Sequence, residues 1–254
     1  MNIVRKLLVV AGLVTASSTA ACVGEDPGRS ESPIDDEPAP PAEEQEELDL
    51  HVVRDPSAKD HPAYGAKVTI SGIVTGVKNA GSNHGFFVQA PNEPKWGAIY
   101  VFVGPADVAA TPGTMVRASG TYQQFRGLDQ INVIAGTIEA KGNAPVPAPI
   151  EVDVAEIANG GPRSLELQSV SLLVKGVIAT RATTSLDFMV KGTSGDAELI
   201  VTSFWANDVG PSPFPATMNQ RFASIRGFGT RFGSSDATTV AKLAPLAIGD
   251  LVVE

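Results

Sequence analysis

Short runs in which apolar and polar residues alternate, separated by glycine and proline, fill most of the chain after residue 60. Such runs are typical of β-strands, and no long segment repeats apolar residues at helical spacing. The first part of this region predicts five strands, at Lys67–Val77, Gly85–Ala90, Gly97–Gly104, Thr114–Phe125 and Asp129–Ala140. The first strand contains Gly72, where we expect a bend, because glycine has no side chain to pack.

The same series of predicted strands recurs in the C-terminal part of the chain. Gly176 in the segment Ser171–Ala182 takes the place of Gly72, and Leu186–Gly192 and Ala197–Trp205 correspond to the second and third strands. At a constant offset of 107 residues, four identical residues align: Gly120, Phe125, Asp129 and Val133 with Gly227, Phe232, Asp236 and Val240. The sequence therefore predicts two copies of one β-rich unit.

Five strands with a bent first strand and turn-rich connections favour a small barrel, which leaves no sheet edge exposed. The segments VTISGIVTGV, GFFVQ, GAIYVFVG and VRASGTYQQFRGLDQI resemble the OB-fold modules attached to bacterial extracellular nucleases and surface proteins. The resemblance covers about Tyr64–Ala140 and, more loosely, Leu165–Glu254, where FGTRFGSSDAT replaces TYQQFRGLDQI and so lacks Tyr122 and Gln130.

The resemblance implies an all-β fold of two tandem five-stranded OB-like barrels, at residues 61–143 and 165–254. Between them, residues 144–164 form a proline-containing linker in which VDVAEIANG predicts a short helical turn. A signal peptide and a disordered acidic tether precede the first barrel.

Residues 1–21 have the three parts of a signal peptide: Arg5 and Lys6, the apolar run LLVVAGLV, and the small residues TASSTAA. The apolar run is shorter than the ~20 residues that span a bilayer. Small residues before Cys22, the single cysteine of the chain, resemble a bacterial lipoprotein signal. That family usually has Leu three positions before the cysteine, where this chain has Thr19.

The resemblance implies cleavage between Ala21 and Cys22 and acylation of Cys22 by palmitate-type chains, so that the membrane is a partner through a lipid anchor. Because Val23 rather than Asp follows Cys22, it also implies an outer-membrane location in the cell envelope. The alternative is ordinary secretion, to the periplasm or the medium, which would leave a solitary thiol in an oxidising compartment.

The net formal charge of −9 is concentrated in residues 22–60, which contain 13 acidic and 3 basic residues. Since this segment is also rich in proline and poor in aromatic residues, we predict an extended, disordered tether. From His61 to Glu254 the chain has 15 acidic and 14 basic residues. Nucleic-acid-binding surfaces normally carry a surplus of Lys and Arg, so we do not expect nucleic acid as a partner.

No catalytic residue, metal site or cofactor site is predicted. The chain has three histidines, His51, His61 and His84, and its one cysteine lies at the signal junction, so three or four Cys and His ligands for zinc cannot be assembled. GTSGD lacks the spacing of a nucleophile elbow, and GFGTRFG lacks both the spacing and the following helix of a dinucleotide-binding motif. We therefore expect a protein without enzymatic activity or cofactor.

OB barrels often bind ligands on the face of their second and third strands and the adjoining loops. Strand alternation assigns about half of any such set to the barrel core. The candidate binding face comprises Phe86, Gln89, Trp96, Tyr100, Tyr122, Phe125 and Arg126, with Phe87 and Phe102 in the same strands.

These patterns together predict a lipid-anchored, non-enzymatic envelope protein whose barrels bind a protein or a cell-wall glycan. The alternative function is a nucleic-acid-binding accessory of an extracellular nuclease system. That alternative requires an affinity that falls steeply with salt concentration.

Overall fold

The structure is a computed structural model that describes residues 46–81, 83–193, 195–208, 214–233 and 238–254. The predicted signal peptide, the Ala21–Cys22 junction, most of the predicted tether and Asp236 lie outside these residues. Within the described part of the chain, no helix is long and apolar enough to cross a membrane.

The first module is a closed barrel of five strands. These are β1 (Lys67–Lys78), β2 (His84–Gln89), β3 (Ala98–Gly104), β4 (Thr114–Phe125) and β5 (Leu128–Asn143). They pair in the order β1-β2-β3-β5-β4, and β4 pairs with β1 to close the ring. Every pair is antiparallel except β3 with β5. Inward-facing residues such as Ile70, Val88 and Ile99 fill the barrel, so the predicted OB-like fold is confirmed.

The second module repeats this arrangement. Its strands are β6 (Ile150–Glu151), β7 (Ser171–Thr184), β8 (Asp187–Gly192), β9 (Glu198–Thr202), β10 (Arg221–Phe232), β11 (Val240–Ala244) and β12 (Leu251–Val253). The pairing of β10 with β7 closes β7-β8-β9-β11-β10 into a ring of the same order, again with one parallel pair, β9 with β11. Strands β6 and β12 extend the sheet, and a short helix, Val154–Ile157, lies between β6 and β7.

The predicted repetition of the strand order is confirmed down to the register. Strands β4 and β10 have the same length, 12 residues, and their bounds are related by the offset found in the sequence. Ile73 faces Met115 across β1 and β4, and Val177 faces Phe222 at the equivalent position across β7 and β10. The preceding Gly176 has φ +56°, a conformation that glycine adopts without strain.

The predicted tether extends too far toward the barrel. A five-residue helix of residues Leu50–Arg54 packs Leu50 and Val53 into the first core, and Asp49 caps it by accepting a hydrogen bond from the His51 amide at 2.7 Å. Before the helix, Leu48 donates its amide to the carbonyl of Thr69 at 2.8 Å. The boundary predicted at residue 60 is therefore wrong, because so short a helix leaves little apolar pattern within an acidic segment.

The two barrels belong to one compact unit, Glu44–Glu254. Phe87, Tyr100 and Leu128 of the first barrel form a separate apolar cluster with Trp205, Phe228 and Ala244 of the second. At the edge of this cluster the Asn207 side chain accepts from the Asn79 amide at 2.9 Å and donates to the Val77 carbonyl at 2.8 Å. Removing these apolar surfaces from water holds the barrels together.

Candidate functional site

A row of four neighbouring side chains crosses the outer face of the first barrel. Phe87 on β2 faces Tyr100 on β3, Tyr100 faces Gln130 on β5, and Gln130 faces Gln123 on β4. Side chains at facing positions are direct neighbours in a sheet. The row therefore presents two aromatic rings followed by two adjacent carboxamides.

The second barrel covers the aromatic half of this row. Phe228 stacks on Phe87 with ring centroids 4.1 Å apart, and Trp205 meets Tyr100 edge to face at 4.7 Å. The face that OB barrels commonly use for ligands is thus partly occupied by the repeat of the same chain. The carboxamide half of the row is left facing a cleft.

This cleft, here called the aromatic cleft, has a volume of about 260 Å³ and lies between the two barrels. Contacts between the barrels bound it at Tyr100 with Trp205 and at Phe125 with Phe232, whose rings are 6.3 Å apart. None of the described lining residues is charged. They are Asn83, Tyr100, Phe102, Gln123, Phe125, Gln130, Phe204, Trp205 and Phe232.

Two polar side chains of the aromatic cleft are buried. Gln130 is 4 % exposed and Trp205 is 5 % exposed. Among the described residues, the indole N–H of Trp205 is buried without an acceptor. An unsatisfied buried polar group of this kind costs about 1–3 kcal/mol.

Cations lie over the outer aromatic rings of the cleft. The Arg126 guanidinium is 5.4 Å from the Phe125 ring and 5.2 Å from the Phe232 ring, so it joins the two barrels by cation–π contacts. Lys78 lies 6.0 Å from the Phe204 ring, and burial lowers the pKa of its ammonium group. Two cations therefore lie beside a cleft whose described lining is neutral.

A second cavity, of about 290 Å³, lies on the other side of β4 and β5, where Tyr122 and Gln124 face because side chains alternate along a strand. Its centre is an ion pair between Arg54 and Asp129. Arg54 also donates from Nε to the Ala98 carbonyl at 2.9 Å and from Nη2 to the Leu165 carbonyl at 3.2 Å.

The other carboxylate oxygen of Asp129 accepts hydrogen bonds. Its Oδ1 accepts from the Tyr64 hydroxyl and from Gln124 Nε2, each at 3.0 Å, while its amide donates to Gln168 Oε1 at 3.1 Å. Burial, together with the charge of Asp129, raises the pKa of Tyr64 to about 12. Because the charged groups at its centre satisfy one another, we assign this polar cavity a structural role that ties the Leu50–Arg54 helix to both barrels.

The structure separates the seven residues of the candidate binding face. Phe86 lies in the core of the first barrel, and Gln89 is buried. Trp96 and Tyr122 line the polar cavity. Tyr100 and Phe125 line the aromatic cleft, with Arg126 over the ring of Phe125. The seven residues therefore do not share one surface: part of the set lies in the core, as strand alternation implies, and the rest is divided between two cavities. Their role in ligand binding stays a prediction.

Sequence reasoning missed the half of the cleft that the second barrel supplies, Phe204, Trp205 and Phe232. Phe232 aligns with Phe125 at the offset of 107 residues, so the repeat contained a signal for this pair. It also missed the cross-strand pair Gln123 and Gln130, which only the register of β4 and β5 brings together.

The described residues offer no metal site, and His84 has a structural role. In the described ranges, no three His, Cys, Asp or Glu residues are grouped so that they could hold a metal ion. His84 begins β2, and its ring nitrogens lie 3.0 Å from the Ala106 carbonyl oxygen and 2.7 Å from that of Gly81. These contacts hold the loops at this end of the barrel.

No protein-family model and no curated protein matches the chain. Solved structures that are similar in fold include one described as "Structural mimicry for functional antagonism", with 13% identity, a TM-score of 0.37, and coverage of 79% of this chain and 98% of the other. A murine DNA-binding protein bound with double-stranded DNA has 11% identity, a TM-score of 0.38, and coverage of 69% and 92%. The tetrameric p202 HIN2 structure has 11% identity, a TM-score of 0.36, and coverage of 76% and 96%.

The expectation that nucleic acid is not a partner is contradicted. The similar structures include a murine DNA-binding protein bound with double-stranded DNA. The physical error was to judge the surface from the summed charge of residues 61–254. A sum near zero does not describe where individual cations such as Arg126 lie.

Proposed function

We propose that this chain is a lipid-anchored, non-enzymatic binding protein of the cell envelope, whose ligand occupies the aromatic cleft between the two barrels. One observation carries the proposal: both barrels contribute aromatic rings to a neutral cleft of about 260 Å³. Ligand sites are typically concave and mostly apolar, with a few polar groups that fix orientation, and this cleft has that composition.

The anchor is supported by the sequence around Cys22. Small residues precede this single cysteine, and the acidic, proline-rich segment that follows would hold the body away from the membrane. Because Leu48 and the Leu50–Arg54 helix pack on the first barrel, the tether under this proposal ends before Leu48. Several acyl chains on Cys22 would bury enough CH₂ groups for stable anchoring.

The chain has two tryptophans, and this allows a direct test of the cleft. Trp96 lines the polar cavity and Trp205 lines the aromatic cleft, so a Trp96→Phe variant reports from the cleft alone. We expect glycan or protein fractions of the envelope to change the emission of Trp205 saturably. If every fraction leaves the emission of Trp205 unchanged, the proposed function fails.

Nucleic acid is the second candidate partner. Arg126 is exposed beside Phe125, whose side chain is 48 % exposed, so a base could stack there while the guanidinium contacts a phosphate. A single-stranded oligonucleotide should then bind with an affinity that falls steeply as salt is added. Binding that does not change with salt would remove this candidate.

A further inference from the structure

We propose that the ligand of the aromatic cleft is a neutral saccharide, held by one sugar ring. The inference rests on the proposed function, because it names the ligand class for the same cleft. Three features carry it: the hydrogen-bonding chemistry of the lining, its lack of charge among the described residues, and the angles between its rings.

The polar groups of the cleft match the hydroxyl groups of a sugar. Gln123 and Gln130 face each other across β4 and β5, and each carboxamide can both donate and accept hydrogen bonds. A hydroxyl group has the same dual capacity, so two adjacent carboxamides can bind two neighbouring hydroxyls of one ring.

The lining is neutral, as a neutral ligand requires. No carboxylate, ammonium or guanidinium belongs to the described residues that line the cleft. A charged group placed there would lose its hydration without gaining a partner, which is costly. The cations over the outer rings, Arg126 and Lys78, already occupy faces of Phe125, Phe232 and Phe204 and disfavour a cationic ligand.

The size and ring angles of the cleft suit a single puckered ring. Its volume of about 260 Å³ lies just below the ~300–1,000 Å³ of pockets for drug-sized ligands. Where the barrels meet, the ring planes of Tyr100 and Trp205 make an angle of 78°, and those of Phe125 and Phe232 an angle of 49°. Aromatic faces set at such angles can pack against the C–H groups of a thick, puckered ring.

The test uses the Trp96→Phe chain and four purified probes. These are neutral tetrasaccharides of glucose and of N-acetylglucosamine, a thymidine tetranucleotide, and the protein fraction of the envelope. We expect at least one tetrasaccharide to change the emission of Trp205 saturably. Gln123→Ala and Gln130→Leu should each weaken that binding about two- to tenfold, the value of one hydrogen bond. Gln124→Ala, the neighbour that faces the polar cavity, should leave it unchanged.

The outcomes separate the inference from the proposed function. If only the tetranucleotide or the protein fraction changes the emission of Trp205, the saccharide inference is overturned and the cleft remains a ligand site. If no probe and no envelope fraction changes it, both fail. If a tetrasaccharide binds equally to the Gln123, Gln130 and Gln124 variants, the saccharide inference is overturned, because the carboxamides do not hold the sugar. Since Gln130 is buried, the half-buried Gln123 provides a variant that preserves the fold.

Discussion

The ring of Phe87 lies flat against the ring of Phe228, with 4.1 Å between the centroids and 6° between the planes. Phe87 belongs to the first barrel and Phe228 to the second, and both are buried. This contact turns the outer face of one repeat into the core of a junction.

Removal of the Phe228 ring should uncouple the barrels. Replacement of a buried Phe by Ala typically costs about 3–5 kcal/mol. We therefore expect Phe228→Ala to lower the free energy of unfolding by this amount. We also expect the single calorimetric unfolding transition to separate into two, one for each barrel. Phe125→Ala, at a half-exposed ring, is the matched control and should cost much less. A loss below about 1 kcal/mol for Phe228→Ala would show that the stack does not hold the barrels together.

The strands were predictable from the sequence, and the junction was not. Glycine and proline mark the ends of each apolar run, so β4 was predicted with the bounds that the structure gives, Thr114–Phe125. Alternation correctly places Phe87 on the side opposite Phe86. Alternation does not tell which outward residues a second barrel will cover, because that depends on contacts between distant parts of the chain.

Substitutions of Arg54 and of Asp129 should have strongly coupled effects on the free energy of unfolding. Breaking a buried pair commonly costs about 3–5 kcal/mol, because the remaining charge is left without its partner. We expect Arg54→Met and Asp129→Asn each to destabilise by this order in urea unfolding, and the double variant to lose clearly less than the two losses added together. Strictly additive losses would contradict the assignment of this pair as the centre of the polar cavity.

The three tyrosines should make the stability sensitive to alkali. Burial raises the pKa of Tyr64, Tyr100 and Tyr122, and that of Tyr64 rises from 10.0 to about 12. A proton that the folded state holds more tightly than the unfolded state stabilises the fold below about pH 10, and this stability is lost as the pH rises through about 12.

Tyr64→Phe removes one of these titrating groups. Urea unfolding of this variant should therefore show a smaller decline between about pH 10 and pH 12 than the unchanged chain shows. The comparison is of slopes, because Tyr64→Phe also loses the hydrogen bond to Asp129 at every pH. Equal slopes would mean that the Tyr64 proton does not contribute.

The proposed anchor has a test that is independent of the cleft. Protein from a bacterial envelope should carry a mass increase of acyl chains on Cys22 and partition into detergent. Cys22→Ser should abolish both while leaving the unfolding of the two barrels unchanged, since Cys22 belongs to neither barrel. A native chain without lipid on Cys22 would favour the alternative of ordinary secretion.

The central claim, that the two barrels jointly form a ligand site, is tested most directly by truncating the wall that the second barrel supplies. In the Trp96→Phe background, Phe232→Ala should weaken binding of envelope glycan, followed by Trp205 emission, by at least about tenfold, as truncation of an aromatic anchor does. Met218→Ala, an exposed side chain outside the cleft, should not change it. Equal affinity of the Phe232→Ala and Met218→Ala variants would contradict the claim.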